Sequence, residues 1–276
     1  MVHQQAAVTD TGPLLAAATK AMDTAAEMAR HHQPLRARSK GDRDPVTNLD
    51  VQIERAVRAS LKQDVPHIAF LGEEESSATG TRELTWALDP IDGTANLIHG
   101  LPLFAISLAL VRDDHPVLGI IDVPALGQRY SAVHGQGANR NGQPIRVSDS
   151  DSLADAMVTV GDFAVGEDAA RRNELRLAVT AQLARRVLRV RMLGSAAIDL
   201  AWLAEGKTDA CIILGSHPWD IAAGVIIAAE AGAKIVDLDG SAHTLRAKAT
   251  IAASPALIAD ISRLAAEAQD GQGSFL

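Results

Sequence analysis

The stretch WALDPIDGTANLIHG, residues 86–100, is the most informative part of this chain. An apolar, strand-like run ends abruptly at two aspartates, Asp89 and Asp92, with Pro90 and Ile91 between them. Burying a carboxylate is costly unless it is paired or binds a metal ion. Because the flanking residues are apolar, a solvated acidic turn is the weaker interpretation. The pattern predicts a buried acidic site where a strand ends.

A second strand, upstream, ends in the same way. The run HIAFLGEE is typical of a short buried strand, and it leads into Glu73, Glu74 and Glu75. Two neighbouring strands that both end in acids would create a strongly negative pocket, whose oxygen ligands suit Mg²⁺. For Glu74 and Glu75, an exposed acidic turn explains the pattern equally well, because a run of glutamates costs little in water.

The residues after the two aspartates add a site for an anion. Gly93 allows backbone N–H groups to approach a ligand closely. A short helix over TANLIHG would direct its first N–H groups, including that of Thr94, to the same place and favour a phosphate. One turn would then offer metal ligands and phosphate donors together, which predicts metal-assisted transfer of a phosphoryl group to water.

Composition limits the classes of protein that remain. Of the 276 residues, 47% are hydrophobic and 3% aromatic, so we expect a core of Ala, Val, Ile and Leu. The net charge of -8 argues against nucleic acid or an anionic membrane as a partner. No apolar run reaches the ~18 residues that a membrane span needs. The single Cys211 and a start, MVHQQAAVTD, without a signal-peptide pattern favour a soluble cytoplasmic protein.

Hydrophobic periodicity predicts two helices in the first half of the chain, over residues 11–32 and from Thr47 onward. The polar stretch between them, residues 35–45, is predicted to be a loop. Strands at hairpin spacing follow, with the pair Asn141 and Gly142 as a turn signal.

In the second half, strands alternate with helices, which predicts an α/β layer arrangement. The best point of division is the segment SDSDSL, residues 148–153. We therefore expect an α+β part over residues 1–150, carrying most of the acidic site, and an α/β part over residues 151–276.

Three segments closely resemble the signatures of the inositol monophosphatase family of Mg²⁺-dependent, lithium-sensitive phosphomonoesterases: FLGEE, WALDPIDGT and HPWDIAAG. They occur in the order and spacing of that family. Weaker matches extend the likeness along nearly the whole chain, in GDRDPVTNLD, GQGANRNGQPIRVS and LGSAAIDLAWLAEGKTDA. The resemblance implies a layered αβαβα sandwich of the inositol monophosphatase and fructose-1,6-bisphosphatase type, with the site between the halves. It also implies a homodimer and a small phosphomonoester substrate.

The resemblance implies a set of metal ligands as well. Glu73, Asp89 and the carbonyl of Ile91 would hold a first Mg²⁺, and Asp89 would bridge to a second ion held with Asp92 and Asp220. A third, weaker ion would lie near Glu73. From the residues alone, Asp220 opens a helix, so its alternative role is that of a helix cap.

For catalysis, the resemblance places Asp50 against Thr94, where the pair would polarise a water that attacks phosphorus directly, beside Glu73. The alternative for Asp50 is purely structural, because Thr47 and Asp50 form a capping-box pattern. The residues implied to bind substrate are Gly93, Thr94, Gly194, Ser195, Ala196 and Asp220.

The sequence departs from the pattern of the family at a residue that would recognise the alcohol of the substrate. Inositol-specific members carry a Glu that binds a ring hydroxyl, and the corresponding residue here is Ile213. Histidinol phosphate, sugar phosphates and other polyol phosphates therefore remain candidates beside inositol 1-phosphate. A role as a non-catalytic partner of the transcription machinery is the alternative from another class. Trp219 is expected to pack beside the site, and His217 to be structural.

Overall fold

Helices and sheets alternate in five layers in the computed structural model of this protein, which describes residues 11–32, 34–75 and 83–271. The helices are α1 (Gly12–Arg30), α2 (Asn48–Asp64), α3 (Thr94–Ile98), α4 (Ala169–Ala184), α5 (Ala196–Ala204), α6 (Pro218–Glu230) and α7 (Ile258–Gly271). The strands are β1 (Ala37–Gly41), β2 (Asp44–Thr47), β3 (Ala69–Gly72), β4 (Leu84–Asp92), β5 (Ala105–Arg112), β6 (His115–Val123), β7 (Gln128–Val133), β8 (Ala138–Arg140), β9 (Gln143–Ile145), β10 (Met157–Val160), β11 (Arg189–Arg191), β12 (Ala210–Leu214), β13 (Lys234–Val236) and β14 (Ala249–Ala253). The expected layered αβαβα sandwich is confirmed, while the segment MVHQQAAVTD lies outside the described residues.

The first outer layer consists of α1 and α2, which pack on each other and on one face of a seven-stranded sheet. Pro13 lies in the first turn of α1, where its missing N–H costs nothing. Thr47 caps α2, because its Oγ1 accepts from Leu49 N at 3.1 Å and its N–H donates to Asp50 Oδ2 at 3.0 Å. The predicted capping box is therefore present.

The seven-stranded sheet has the order β3-β4-β5-β6-β7-β8-β9. Only β3 and β4 are parallel among these pairs, and the rest form a continuous antiparallel meander. Asn141 and Gly142 join β8 to β9 with φ of 50° and 76°, the left-handed conformations that a tight hairpin turn requires. The turn signal in the sequence is thus confirmed.

The middle layer, α5 and α6, is covered on both sides, which explains why α6 is apolar around nearly its whole circumference. Glycines allow its close packing. A Cβ at Gly119 of β6 would lie 2.8 Å from Ala223 O, and one at Gly224 would lie 2.6 Å from Leu200 Cβ. These contacts fix α6, and with it the start of the helix, relative to the large sheet.

The remaining two layers are a five-stranded sheet, ordered β11-β10-β12-β14-β13, and the outer helices α4 and α7. β10 is parallel to both of its neighbours, whereas β14 is antiparallel to β12 and β13. Apolar side chains of this sheet and of α4 and α7 form a third cluster of the core.

The predicted loop at residues 35–45 is wrong, because β1 and β2 form an antiparallel hairpin there. All five residues of β1 are exposed. The segment therefore lacks the alternation of apolar and polar residues by which strands are recognised in sequence. Its pairing rests on backbone hydrogen bonds instead.

Within the described residues, no helix combines the length and apolarity that crossing a bilayer would demand. All strands of the seven-stranded sheet come from residues before 146, and all strands of the five-stranded sheet from residues after 156. The middle helices of the second half pack on both sheets. The division into residues 1–150 and 151–276 stays a prediction.

Candidate active site

The acids of the two strand ends meet at one cavity of about 440 Å³, a volume suited to a small ligand. Because β3 and β4 are parallel, their carboxyl ends lie at the same edge of the sheet, where Glu73 N donates to Leu88 O at 3.2 Å. Ten of the residues predicted for the site line this cavity: Glu73, Asp89, Ile91, Asp92, Gly93, Thr94, Gly194, Ser195, Ala196 and Asp220. Asp50 is not among the lining residues.

A β-bulge allows Asp89 and Asp92 to face the same cavity. Residues three positions apart on a regular strand point to opposite faces of a sheet. Asp89 pairs with Ser107 and Asp92 with Ala105, so three steps along β4 face two steps along β5. The extra residue reorients the chain between the two aspartates. Asp89, at the end of the apolar run, is only 3% exposed.

Asp92 is held by residues from the second half of the chain. Its Oδ2 accepts from Ser195 Oγ at 2.7 Å and from Ala197 N at 2.6 Å, at the start of α5. Burial raises the pKa of Asp92 to about 7, although these two hydrogen bonds oppose the shift. The Ser195 hydroxyl therefore contacts a carboxylate, and its predicted role in binding substrate stays a prediction.

Asp220 reaches the cavity from the first turn of α6. Its Oδ2 accepts from His217 N at 2.8 Å, which is the capping role that the sequence offered as an alternative. Capping uses one of the two carboxylate oxygens, so it does not exclude a second role. Burial raises the pKa of Asp220 to about 7, and the charge of Glu73 contributes to the shift.

The chemistry of these carboxylates fits a hard divalent cation. Burial, followed by the charges of Glu73, Asp92 and Asp220, raises the pKa of Asp89 well above its usual range. Neither Asp89 nor Asp92 forms an ion pair with a basic side chain in the described part of the chain. Buried carboxylates with uncompensated charge are destabilising unless a cation joins them, and Mg²⁺ prefers such oxygen ligands. The carboxylates at this cavity are therefore suitable ligands for Mg²⁺.

The arrangement of the side chains is nevertheless not that of a completed metal centre. Across residues 11–32, 34–75 and 83–271, no three histidine, cysteine or acidic side chains form a group tight enough to hold an ion as they stand. The positive group beside Glu73 is the ammonium of Lys40, whose Nζ lies 2.6 Å from Glu73 Oε1 and 2.9 Å from Glu74 Oε1. The metal ligands therefore stay predictions.

Two residues that arrange the acidic turn after β3 were not predicted from the sequence. Lys40 is carried to the turn by the unexpected β1–β2 hairpin. Glu54 of α2 is fully buried and accepts from the N–H groups of Glu74 at 2.7 Å and Glu75 at 3.0 Å. Gly72 leaves room for it, because a Cβ there would lie 2.4 Å from Glu54 Cδ. In the sequence, Gly72 directly before the acids was the signal that could have indicated this close packing.

The last two glutamates of this turn, Glu74 and Glu75, differ in their exposure to solvent. Glu75 is exposed and pairs with Arg55 at the surface, as a solvated turn would. Glu74, in contrast, has a side chain that is only 5% exposed, and burial raises its pKa. The alternative of an exposed turn is therefore confirmed for Glu75 and wrong for Glu74.

Asp50 and Thr94 are in direct contact, as the resemblance implies. Thr94 Oγ1 lies 3.0 Å from Asp50 Oδ1 and 3.0 Å from Ile91 O, so its single proton is donated to one of these acceptors at a time. Asp50 is 1% exposed, and burial raises its pKa against the opposing hydrogen bonds from Thr47 and Thr94. The capping box and the contact with Thr94 thus occur together.

Gly93 forms a tight joint between the two halves of the chain. Its φ of 96° is one that residues with a side chain rarely adopt, and an added Cβ would lie 2.9 Å from Leu103 O and 3.0 Å from Gly194 O. Next to it, Asn96 Nδ2 donates to Leu103 O at 2.7 Å and to Leu193 O at 2.8 Å. The loop with Gly194 is thereby fastened beside the two aspartates.

The far side of the cavity is formed by residues of the second half. Ile213 and Leu214, at the end of β12, contribute an apolar wall. The ring of His217 is exposed at the cavity and stacks on Trp219, with centroids 4.7 Å apart. Trp219 therefore packs beside the site as expected.

A further acid behind this wall was not predicted. Asp199 of α5 is fully buried and lines the cavity. Burial, and then the charge of Asp92, raise its pKa well above the usual range. In the sequence, Asp199 lies within an apolar helix, and that position was the signal available.

Comparison with known proteins agrees with this geometry. The sequence profile described as "Inositol monophosphatase family" matches residues 9–270. The chain is 34% identical over 254 residues to inositol monophosphatase 1 of Solanum lycopersicum, covering 88% of this chain and 91% of that protein. It is 31% identical over 246 residues to the Nus factor SuhB of Pasteurella multocida, with 89% and 91% covered. The solved structure of inositol monophosphatase from Anabaena superposes with a TM-score of 0.81 at 31% identity, covering 91% of this chain and 94% of that one.

Proposed function

The chain belongs to the inositol monophosphatase family, and from this membership we propose that it is a Mg²⁺-dependent phosphomonoesterase for a small alcohol or polyol phosphate. The coarser part, a phosphatase of this family, follows from the family itself. The metal, the number of ions and the identity of the alcohol are the proposal. Two to three Mg²⁺ ions would be held by Glu73, Asp89, the carbonyl of Ile91, Asp92 and Asp220.

One observation carries the proposal: Asp89 and Asp92 of β4 and Asp220 of α6, more than a hundred residues further along the chain, line one small cavity. Burial together with neighbouring acids raises all three pKa values. A protein that only needed a binding surface would gain nothing from this cost. When bound, Mg²⁺ neutralises the phosphate, lowers the pKa of a bound water and stabilises the leaving oxygen.

The residues of the chain position the attacking water. When Thr94 donates its proton to Asp50, the lone pairs of its oxygen remain free to accept a hydrogen bond from a water in the cavity. Asp50 is itself held by Thr47, so one of the two acceptors of the Thr94 hydroxyl is in place before substrate arrives. Glu73 also lines the cavity and is the third residue proposed to act in catalysis.

The phosphate is proposed to lie against the turn after β4. The first N–H groups of α3 have no acceptor within the helix, and Gly93 and Thr94 both line the cavity. The left-handed backbone at Gly93 brings the chain close to Gly194, which lines the same cavity. The remaining substrate contacts are assigned to Gly194, Ser195, Ala196 and Asp220.

Phosphate release from a panel of phosphomonoesters tests this proposal. The panel contains inositol 1-phosphate, histidinol phosphate and a simple sugar phosphate, assayed in excess chelator and again after Mg²⁺ is restored. We expect no turnover in chelator and recovery with Mg²⁺. Full activity in chelator would contradict the metal requirement. Li⁺ is expected to inhibit, by analogy with the family.

Two alternatives keep specific support. The apolar Ile213 favours histidinol phosphate or a sugar phosphate over inositol phosphate, because it offers no acceptor for a ring hydroxyl. The similarity to a Nus factor supports a non-catalytic role with the transcription machinery. Absence of turnover on every phosphomonoester with Mg²⁺ present would favour the second alternative.

The cellular setting is also part of the proposal. A cytoplasmic location is supported by the chain's single cysteine, Cys211, which is buried as a free thiol. A homodimer without nucleic acid or membrane as partner is supported by the family and by the net charge of -8. Size measurement in solution tests the dimer.

A further inference from the structure

Two arginines of α4, Arg172 and Arg176, line the same cavity as the acids, together with the apolar wall of Ile213 and Leu214. They approach it with residues 161–165, the segment after β10. This side of the cavity lies beyond the proposed phosphate position and is where the alcohol of the substrate would be.

The hydrogen bonds of both guanidinium groups go to backbone carbonyls. Arg176 donates from Nε to Asp162 O at 3.1 Å, from Nη1 to Arg172 O at 3.0 Å, and from Nη2 to Leu214 O. Arg172 donates from Nη2 to Val165 O at 2.6 Å and to Glu167 O at 3.2 Å. An arginine has five N–H donors, so both side chains keep donors for a further partner.

Neither guanidinium is neutralised by an acid within the described residues. Burial, together with the neighbouring charge of Arg172, lowers the pKa of Arg176. Two other arginines in this region are paired with acids: Arg171 lies 3.9 Å from Asp168 and Arg186 lies 3.4 Å from Glu267. Arg172 is exposed and its charge is solvated, whereas the half-buried Arg176 beside it has no acidic counter-charge in the described chain, and an anion bound by both arginines would supply one.

A second cavity of about 790 Å³ continues from the first one past these arginines. It shares Arg172, Arg176, Leu214 and His217 with the first cavity. Its further basic residues are Arg171 and Lys248, and Glu174 is its one acidic lining residue in the described chain. A positive groove therefore leads outward from the alcohol side of the site.

We propose that Arg172 and Arg176 form a second anion subsite, so that the preferred substrate is a phosphomonoester whose alcohol carries another anionic group, a carboxylate or a second phosphate. The proposal rests on the proposed function. Arginine suits this task because its planar guanidinium binds carboxylate and phosphate oxygens in pairs. The apolar Ile213 fits the same substrate, because selection by a distant charge needs no acceptor for a hydroxyl at that position.

A purely structural role for the two arginines makes a different prediction. They would then only fasten residues 162–167 to the end of β12. Their loss would loosen the cavity wall and reduce turnover of every substrate by a similar factor. A subsite, in contrast, changes the ratio between charged and uncharged alcohols.

The experiment compares kcat/KM for matched substrates in the presence of Mg²⁺. 3-Phosphoglycerate and glycerol 3-phosphate differ by a carboxylate in place of a hydroxymethyl group, and glucose 1,6-bisphosphate and glucose 1-phosphate differ by a second phosphate. The variants are Arg172→Gln, Arg176→Gln and the double variant. Arg186→Gln, which removes a paired charge just beyond the far end of the same helix, is the control.

We expect the wild type to prefer the doubly anionic member of at least one pair by about tenfold, which corresponds to about 1.4 kcal/mol. The pair that shows it identifies carboxylate or phosphate. Arg172→Gln, at an exposed position, should abolish most of the preference while changing kcat/KM for the uncharged member by less than about twofold, and Arg186→Gln should keep it. Arg176 is half-buried, so the Arg172 variant keeps the test informative if the Arg176 variant unfolds.

Two results would overturn the proposal. Turnover of glycerol 3-phosphate and glucose 1-phosphate without any preference for their anionic counterparts removes the subsite and leaves the proposed function intact. Equal losses on all four substrates in Arg172→Gln assign the arginines a structural role. If the wild type hydrolyses none of these compounds nor inositol 1-phosphate, the proposed function itself fails, and the subsite with it.

Discussion

At the scale of single residues, Asp92 connects the acidic end of β4 with the start of α5. Its Oδ2 accepts from Ser195 Oγ and Ala197 N, and burial raises its pKa to about 7. The sequence predicted Asp92 from its apolar neighbours. It did not predict these hydrogen bonds, because they join residues that are far apart in the chain and depend on how the two halves pack.

Asp92→Asn should lower kcat by about a hundredfold or more, because losing a metal ligand costs at least as much as losing a residue that supports one. The change is nearly isosteric, and the amide oxygen can still accept from Ser195. The fold should therefore remain, with a melting temperature in chelator equal to or above that of the wild type. Steady-state kinetics and thermal melting check this, and near-normal turnover would remove Asp92 from the proposed ligands.

The metal-free protein should lose stability as the pH rises. The pKa values of Asp92 and Asp220 are about 7 in the folded protein, against an ordinary value of 3.8. Stability that comes from their protonated forms is complete below about pH 4 and is lost as the pH rises through about 7. Thermal melting in excess chelator between pH 5 and 8 measures this loss. Asp92→Asn should show a shallower decline, and equal slopes in both proteins would argue against the assignment.

Thr94→Ala should reduce kcat by about a hundredfold, the lower range for a group that positions a proton transfer. The Mg²⁺ concentration for half-maximal activity should change little, because the side chain of Thr94 is not a proposed ligand. Thr94→Ser keeps the hydroxyl within reach of Asp50 and serves as the control. A similar loss in both variants would show that the methyl group of Thr94, rather than its hydroxyl, is what matters.

Ile213→Glu should raise the ratio of kcat/KM for inositol 1-phosphate over a simple sugar phosphate by about tenfold. A site that can hydrogen-bond a substrate hydroxyl discriminates far more strongly than an apolar wall does. Ile213→Leu is the matched control, and melting curves verify the fold, because Ile213 is only 5% exposed. A wild-type preference for inositol 1-phosphate of about a hundredfold would mean that other residues recognise the ring.

At the scale of elements, the accuracy of the sequence prediction followed the burial pattern of each segment. β4 was recognised as a continuous apolar run that ends in acids, and α2 because its apolar residues recur with the period of a helix. The β1–β2 hairpin was missed because β1 is exposed throughout. Lys40 and its contact with Glu73 were consequently missed as well. The bulge in β4 was not predicted either, since it is a property of the pairing with β5 rather than of β4 alone.

Gly93→Ala should destabilise the protein more than Gly100→Ala does. Both glycines have a positive φ, of 96° and 72°, so each substitution carries a backbone cost of about 1–2 kcal/mol. Only at Gly93 would the added Cβ press on the backbone oxygens of Leu103 and Gly194, whereas Gly100 faces open space. Urea unfolding in chelator measures both, and equal losses would show that the joint at Gly93 relaxes easily.

At the scale of the whole molecule, the layer order and the family could be predicted from the sequence, because three motifs lie in the order of the family and weaker matches extend along nearly the whole chain. The alcohol side of the cavity could not. Arg172 and Arg176 lie on a helix whose sequence shows no motif, and only packing brings them to the site, while Asp199 lies in a weakly matching segment that gave no sign of an acid at the cavity. Asp220 is an example. From the sequence alone it could be a helix cap or a metal ligand, and only the packing of α6 against β4 shows that it reaches the cavity.

Carboxylates from both halves of the chain are proposed to bind the Mg²⁺ that catalysis needs. Calorimetric titration of Mg²⁺ into chelator-treated protein, in the wild type and in Asp220→Asn, tests this proposal most directly. We expect the wild type to bind at least two ions, and the variant to lose one site or to bind at least about tenfold more weakly. Identical titrations of the two proteins, or no Mg²⁺ uptake by the wild type, would contradict it.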